Sequence, residues 1–487
     1  MNKSVIRYIA GWVFLLTGVL MLLPALVALI YRESCGWYFI LVGAVSALLG
    51  LLLRMNKPAN MVFYRRDGCI VTAISWIQIS LVSCLPFYIS GEIPSFTDAL
   101  FETVSGYTTT GASILNDIEA LSHCMLFWRS FTHWLGGMGV LVFLLSIIRM
   151  TGGSNMNLMR AESPGPSVGK IVPKVMHSAQ MLYLIYAGLT ITMFVFLVAG
   201  RMSVFEALTT AFGTAGTGGF AVTSDSMAGY SPYIQWVVTI FMLLFGVNFN
   251  AYYLILFKKW KQAFSMEELR VYFGIIAVAV VVITANIYKT MSGFAEAFRT
   301  AAFQVATIIT TTGFATADFD LWPQTSRLIL VLLMFCGACA GSTGGGMKVS
   351  RLIILAKSVG REFGSYLFPK SVKRIKMDGK PVEDDVLRGT NVYFFAYVAV
   401  FVVSMLCLSV ENYDLETTFT AVAATINNIG PGLNLVGPTA NFSFFSNFSK
   451  YVLMFDMIAG RLELFPMLML IYPPTWKGFL RRHKKQA

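Results

Sequence analysis

Apolar residues run along this chain in blocks long enough to cross a bilayer, which takes roughly 20 of them. Ten such blocks are visible, at 8–30, 37–53, 69–90, 124–149, 179–200, 232–257, 271–290, 326–356, 391–411 and 450–474. Four shorter, more polar stretches lie between them, at 96–113, 203–221, 296–316 and 415–433. They are rich in Thr, Gly and Ala and too short to span. After a leading pair of blocks, the unit span–short segment–span recurs four times. Internal repetition of this kind predicts an architecture built from copies of one element.

Composition agrees. Of 487 residues, 56% are hydrophobic and 13% charged, against roughly 25% charged in a soluble domain. An all-α polytopic membrane protein is therefore expected. The formal net charge is +12, and its placement decides what it means. Arg54, Lys57, Arg65 and Arg66 follow the second block; Lys258, Lys259, Lys261 and Arg270 follow a later one. Lys357 to Lys380 and Lys477 to Lys485 form further clusters. Basic residues flanking apolar spans mark the cytoplasmic side. Alternation then puts 1–7, 54–67, 150–177, 258–270, 357–390 and 475–487 inside, and all four short segments outside. No separate basic domain remains to suggest nucleic-acid binding. The N-terminal block is too long for a signal-peptide core and is expected to stay as a membrane anchor.

Aligned without gaps, the short segments read DALFETVSGYTTTGAS from Asp98, EALTTAFGTAGTGGFA from Glu206, TAAFQVATIITTTGFA from Thr300 and TTFTAVAATINNIGPG from Thr417. Each starts with about ten helix-compatible residues and reaches glycine in one column: Gly111, Gly219, Gly313 and Gly430. A half-helix entering from outside points its C-terminal carbonyls toward mid-membrane. Glycine lets the following backbone turn at positive φ. Four such turns around one axis would make a ring of neutral oxygens, which suits a dehydrated monovalent cation; magnesium keeps its water and calcium usually wants carboxylates. One copy alone could be an ordinary loop at a helix end. A single glycine column also predicts weaker discrimination against sodium than a tetrameric potassium channel has.

With these loops, WRSFTHWLGGMGV at 128–140, CAGSTGGGMKVSR at 339–351 and GRLELF at 460–465, the chain resembles the Trk/Ktr/HKT superfamily of potassium transporters over nearly its whole length. The two leading spans favour its TrkH/TrkG type. The resemblance implies four span–pore-helix–span repeats in a pseudo-fourfold arrangement around one ion pore, plus two extra N-terminal transmembrane helices. Boundaries follow at 1–67 for the leading pair and 68–150, 151–262, 263–375 and 376–487 for the repeats. It implies a selectivity filter at Thr110, Gly111, Gly218, Gly219, Thr312, Gly313, Ile429 and Gly430, with potassium as the transported ion. It also implies a homodimer in the bacterial inner membrane, both termini cytoplasmic. The partner would be a cytosolic TrkA-like ring that binds nucleotide (ATP, ADP or NAD); no cofactor is expected on this chain.

The block 326–356 carries GACAGSTGGGMK at 337–348, dense enough in Gly, Ser and Thr to break a helix. By resemblance this is an intramembrane gate formed by Gly341, Ser342, Thr343, Gly344, Gly345, Gly346 and Lys348, with Arg461 facing it from the pore below the filter. Close packing of a small-residue helix is the plain alternative. Arg461 lies 11 residues past Lys450, roughly 16 Å deep at 1.5 Å per residue. A charge there faces a pore or a partner: Glu463, Asp456 or the gate-loop carbonyls. Asp456 is the one deep carboxylate available for coupling to protons or sodium. Cys336 and Cys339 are expected to pack rather than do redox chemistry. His123, His133, His177 and His483 show no ligand spacing, with His133 read as packing. No nucleotide or hydrolase motif supports an enzyme. The basic loop Lys357–Lys380 is either a topology signal or a docking surface. Symport, and a scaffold or receptor without transport, are the competing functions.

Overall fold

The computed structural model describes residues 3–58, 65–139, 175–370 and 373–476. The expectations for 140–149, for most of the loop 150–177, for the His177 side chain and for the tail from Lys477 lie outside the described residues. Apart from one two-stranded hairpin, β1 (Lys376–Met377) with β2 (Lys380–Pro381), every described element is helical.

The leading pair consists of α1 (Lys3–Leu20), which runs on into α2 (Leu22–Tyr31), and α3 (Gly36–Arg54). Of the four segments expected as repeats, the first holds α4 (Arg65–Ser83), α5 (Leu85–Ser90), the half-helix α6 (Phe96–Tyr107) and α7 (His123–Gly137). The second holds α8 (Val175–Ala199), the half-helix α9 (Val204–Gly216), α10 (Pro232–Phe245), α11 (Phe249–Leu256) and the short α12 (Trp260–Phe264). The third holds α13 (Glu267–Ile287), the half-helix α14 (Phe294–Ile309), α15 (Gln324–Met334) and α16 (Val349–Leu367). The fourth holds α17 (Asp384–Leu408), the half-helix α18 (Leu415–Ile426), α19 (Asn447–Arg461) and α20 (Phe465–Ile471).

Among the described residues, six helical stretches are long and apolar enough to cross a membrane, seven if the bent pair α10–α11 counts as one span. The most apolar 18-residue window of Ser4–Tyr31 has a mean hydropathy of 2.7 yet only 33% of it is buried. A water-soluble helix this apolar would be hidden; here the remainder faces lipid. Trp37 is 73% exposed and Phe395 77%, so the large outward side chains are those that hydrocarbon accepts.

Two of the blocks expected as unbroken spans, 232–257 and 450–474, are interrupted. The block 232–257 bends by 90° between α10 and α11. The block 326–356 opens into a loop between α15 and α16, as expected. The block 450–474 breaks at Glu463 and Leu464, whose φ angles are 57° and 68°. The cause is local: each interruption sits beside a half-helix end, where packed backbone takes the place of a continuous rod.

Helices without a hydrophobic force between them associate through small residues. A Cβ at Gly18 would sit 2.5 Å from the Gly43 carbonyl oxygen, and one at Gly50 2.6 Å from the Leu15 nitrogen. α1 and α3 thus touch backbone to backbone. Gly18→Leu is expected to cost about 1–3 kcal/mol of overpacking, read as a lower thermal midpoint of the detergent-solubilised chain; an unchanged midpoint would show that the pair does not depend on this contact.

Candidate ion-conduction site

The four half-helices end in nearly the same way, and three of them begin alike. Ser95 accepts a hydrogen bond from the Asp98 N–H at 3.3 Å, Ser203 from Glu206 at 3.2 Å and Asp414 from Thr417 at 2.9 Å. These are N-caps that fix where those three helices start; α14 follows Gly293, which has no side chain to cap it. At the other end, Thr110 N–H bonds Ser105 O at 2.9 Å, Gly218 bonds Gly213 at 2.9 Å, Thr312 bonds Thr307 at 2.8 Å and Ile429 bonds Ala424 at 2.8 Å. One residue earlier, Thr109, Thr217, Thr311 and Asn428 each bond three residues back. This is one Schellman stop, made four times.

A Schellman stop needs a left-handed residue, ordinarily glycine. Here Thr109, Thr217, Thr311 and Asn428 hold it, with φ of 54°, 56°, 59° and 55°. For the β-branched threonines this conformation costs about 1–2 kcal/mol, whereas asparagine tolerates it. Two residues on, Gly111, Gly219, Gly313 and Gly430 are left-handed again, at 79°, 77°, 86° and 99°. The strain is thus stored in the residues that precede the glycine column, and the rest of the fold must hold it in place.

The segments meet in order. A Cβ on Gly111 would collide with the Gly218 carbonyl oxygen, one on Gly219 with that of Thr312, and one on Gly313 with that of Ile429. A Cβ on Gly430 would lie 2.7 Å from the Thr110 oxygen. The series closes on itself. All four glycines line one open cavity. Every expected filter residue, Thr110, Gly111, Gly218, Gly219, Thr312, Gly313, Ile429 and Gly430, therefore lies in this one ring of contacts.

Side chains behind the ring are matched by repeat. Thr108 and Thr110 hydroxyls bond at 2.8 Å, as do Thr310 and Thr312. Asn428 Nδ2 donates to Thr110 Oγ1 at 3.0 Å and to the Met457 carbonyl at 2.8 Å. In the second segment Gly218 has no side chain because the His133 ring fills that space. His133 Nδ1 lies 2.7 Å from Gly106 O, and Nε2 accepts the Phe220 N–H at 3.2 Å. These bonds require a neutral ring with its proton on Nδ1. His133 is more than packing: it joins the first half-helix to the second turn.

A buried ion pair, absent from the sequence-based candidates, stands behind the first two turns. Arg129 Nε meets Glu102 Oε1 at 2.5 Å, with both side chains almost fully buried. The guanidinium also donates to Ala221 O at 2.9 Å and Ser113 Oγ at 3.2 Å, and lies 3.7 Å over the Phe220 ring. Glu102 accepts the Ile114 N–H at 3.0 Å and the Ser113 hydroxyl. At the mouth, the hydroxyl and N–H of Ser224 hold the Glu119 carboxylate below its ordinary value.

The loop 337–348 lies against the half-helix C-termini. Gly345 N–H donates to Thr311 Oγ1 at 2.6 Å. A Cβ at Gly344 would be 3.0 Å from Thr310 O, and one at Gly345 2.5 Å from Asn427 O. Phe249 N–H reaches Gly341 O at 3.0 Å, Ser342 Oγ bonds Cys339 O at 2.6 Å, and Thr343 Oγ1 bonds Phe245 O at 3.2 Å. Gly346 turns at φ 66°. Lys348 Nζ donates to Gly344 O and, at 3.0 Å, to Gly345 O. Arg461 donates to Thr343 O at 2.8 Å, Gly136 O at 2.5 Å and Gly137 O at 2.6 Å. It links the loop of the third repeat to the end of α7 in the first. Of the partners open to Arg461, the loop carbonyls are taken. Glu463 is bonded by Arg351, and Asp456 accepts from Ser404 at 2.7 Å.

One further carboxylate holds the loop. Glu268 Oε1, in the first turn of α13, accepts Ala340 N–H at 2.7 Å and Ser350 N–H at 3.0 Å, while Asn248 Nδ2 approaches Oε2 at 3.4 Å. A single buried side chain thus closes both ends of the loop. Its sequence signal was an acid at the start of a span, easily taken for a topology residue.

An all-helical chain with lipid-facing spans and non-helical backbone folded into its interior is a multi-span membrane protein. The family model for the TrkH cation transport protein matches residues 36–474. The Trk system potassium uptake protein TrkH of Salmonella typhimurium is 36% identical over 98% of this chain and 100% of its own length. TrkG of Escherichia coli is 32% identical over the same shares. The crystal structure of the potassium transporter TrkH from Vibrio parahaemolyticus superposes with a TM-score of 0.89 at 33% identity, covering 98% of this chain and 100% of that one. The chain belongs to the TrkH family of cation transport proteins, which is not an enzyme family.

Glu102→Ala would leave the Arg129 guanidinium buried without its counter-charge, at about 3–5 kcal/mol. A clear drop in thermal midpoint is expected, with partial recovery in Glu102→Ala combined with Arg129→Met. An equal or larger loss in the double variant would contradict this account of the pair.

Proposed function

We propose that this chain conducts potassium across the bacterial inner membrane through a gated pore whose filter is the ring at Thr110–Gly111, Gly218–Gly219, Thr312–Gly313 and Ile429–Gly430. The observation that carries this is the recurrence of one left-handed pair in four segments, each glycine facing the next segment's carbonyl. Uncharged oxygens held in this way replace the water of a monovalent ion. The four repeats are then related by pseudo-fourfold symmetry about the conduction axis. The named activity of the TrkH and TrkG relatives, potassium uptake, is the same.

The gate in this reading is the loop Gly341–Lys348 with Arg461. The loop sits under the turns, and Lys348 and Arg461 bring two positive charges to its carbonyls. A cation leaving the filter meets both a steric and an electrostatic barrier. Opening requires the loop to exchange its bonds to Phe245, Thr311 and Arg461 for others.

The control surface is cytoplasmic. Lys357 bonds Glu267 Oε1 at 2.5 Å and Lys376 O at 2.8 Å, and Asp378 of the hairpin accepts the Glu267 N–H at 2.7 Å. The next residue is Glu268, which holds the loop. A nucleotide-binding, TrkA-like ring docked on the basic segment 357–380 would therefore act on the gate through the first turn of α13. The positive-inside pattern puts both termini on that same side, and a homodimer presents two such surfaces. Coupled symport would need a carboxylate in the ion path. Asp456 instead faces Ser404 of α17, so permeation here is passive and driven by the membrane potential.

Gly313→Ser adds a side chain where φ is 86° and where the Ile429 oxygen already stands. Rubidium flux in proteoliposomes is expected to fall about tenfold or more, since a penalty of ~1.4 kcal/mol already gives that factor. Sodium exclusion is expected to weaken as well. Unaltered flux and selectivity would remove the ring from the ion path. Glu268→Ala frees both ends of the loop, so basal flux without the partner ring is expected to rise and its control by nucleotide to shrink; a variant that stays as tightly shut and as responsive as the parent would contradict the coupling route.

A further inference from the structure

Two cysteines that the pore does not use face each other where the leading helix pair meets the first repeat. Cys35 precedes α3 and Cys124 lies in the first turn of α7; both are free thiols and both are buried. Their sulfurs and a carboxylate oxygen of Glu33 lie within 4.8 Å of one another. Ser122 Oγ stands between the thiols, 3.2 Å from Cys35 Sγ and 3.4 Å from Cys124 Sγ.

The surroundings already hold the two chain segments in register. Glu33 Oε1 accepts the His123 N–H at 2.7 Å and lies 2.9 Å from its Nδ1; Oε2 accepts the Cys124 N–H at 3.0 Å. Glu92 takes the Ser122 N–H at 3.0 Å and its hydroxyl at 2.7 Å. The donor set of two thiols, a carboxylate and an imidazole suggests zinc at first sight. Yet both Glu33 oxygens are spent on the N-terminus of α7, where anionic groups are stabilised. A metal would have to pull them away. The thiols make only weak sulfur bonds, Cys35 Sγ to Glu33 Oε2 at 3.7 Å and both sulfurs to the Ser122 hydroxyl, which side-chain rotation can release.

We propose that Cys35 and Cys124 form a disulfide that staples the leading helix pair to the first repeat on the outer face. The outer placement rests on the orientation given above, and that compartment is the oxidising one. The sulfurs must close to roughly 2.05 Å, which rotation about the two χ1 angles and displacement of the Ser122 hydroxyl supply. The oxidant is a disulfide-bearing thiol carrier. One cysteine thiolate attacks it to give a mixed disulfide. The second thiolate displaces the carrier, so two protons and two electrons leave the pair and the carrier departs as a dithiol. Burial of the finished bond is no obstacle, because the exchange takes place while the segments assemble. The closed loop spans α3 to the start of α7 and includes the first filter turn, so the staple restrains the unfolded chain over that whole stretch.

The test uses the full chain. Cells are treated with a thiol-blocking maleimide before lysis, and the purified protein is denatured without reductant and mapped by peptide mass. Peptides carrying Cys35 and Cys124 are expected to be linked, and five of the seven cysteines to carry the label (7 − 2 = 5). Reductant is expected to lower the parent's thermal midpoint by several degrees and to leave the Cys35→Ser variant unmoved. Labelling of all seven, or linkage to any other cysteine, overturns the proposal. So does a zinc ion found by elemental analysis, with thiols released by chelator rather than by reductant. A second arm exposes purified, reduced protein to oxidised glutathione. If the bond forms there but never in cells, the orientation is at fault; if it forms in neither, the geometry is.

Discussion

Backbone that leaves a helix inside a bilayer has no water to bond, so each freed N–H and C=O must find a partner in the protein or an ion. That constraint organises this molecule. Four half-helices end inside it, and each ends with the same two hydrogen bonds, which satisfy the orphan carbonyls of the last turn. The cost appears as left-handed Thr109, Thr217 and Thr311. Branched residues do not hold that conformation unaided. The surrounding contacts, above all His133, Asn428 and the Arg129–Glu102 pair, are what keep the turns in place.

The same argument links the proposed filter to the proposed gate. The loop 337–348 is also non-helical backbone at depth, and its polar groups are satisfied by the half-helix ends, by Glu268, by Lys348 and by Arg461. Its internal bonds are those of Ser342 to Cys339 and of Lys348 to Gly344 and Gly345; the others reach outside it. A loop held from outside on several sides can move as a unit when one holder shifts, and Glu268, which holds that loop, directly follows Glu267, whose N–H bonds Asp378 of the hairpin. In the proposed mechanism, gating and regulation therefore need no long pathway.

Much of this was legible in the amino-acid order. The four short segments, the shared glycine column, the loop at 337–348 and the depth of Arg461 all follow from apolar block lengths and residue type. Other features were hidden for physical reasons. Nothing in Thr-Thr-Thr announces a left-handed middle residue, since threonine disfavours it; only tertiary contacts impose it. The bend after α10 rests on Gly246 and Asn248 in a stretch otherwise as apolar as any span, and the break at Glu463–Leu464 is marked only by Pro466 in the first turn of α20 and Gly460 before it. Glu102 and Arg129 were visible as charges within apolar stretches, but sequence spacing did not reveal that they pair. Asp456 looked like a neighbour for Arg461 one helical turn away, and the helix face it occupies turns it toward Ser404 instead.

The claim on which the rest depends is that the carbonyls of Thr110, Gly218, Thr312 and Ile429 together coordinate one dehydrated alkali ion. Anomalous diffraction from crystals soaked in rubidium measures it directly. The account predicts a rubidium peak on the common axis, equidistant from those four oxygens. A transport-competent protein whose rubidium lies elsewhere, with the ring left vacant, would contradict it.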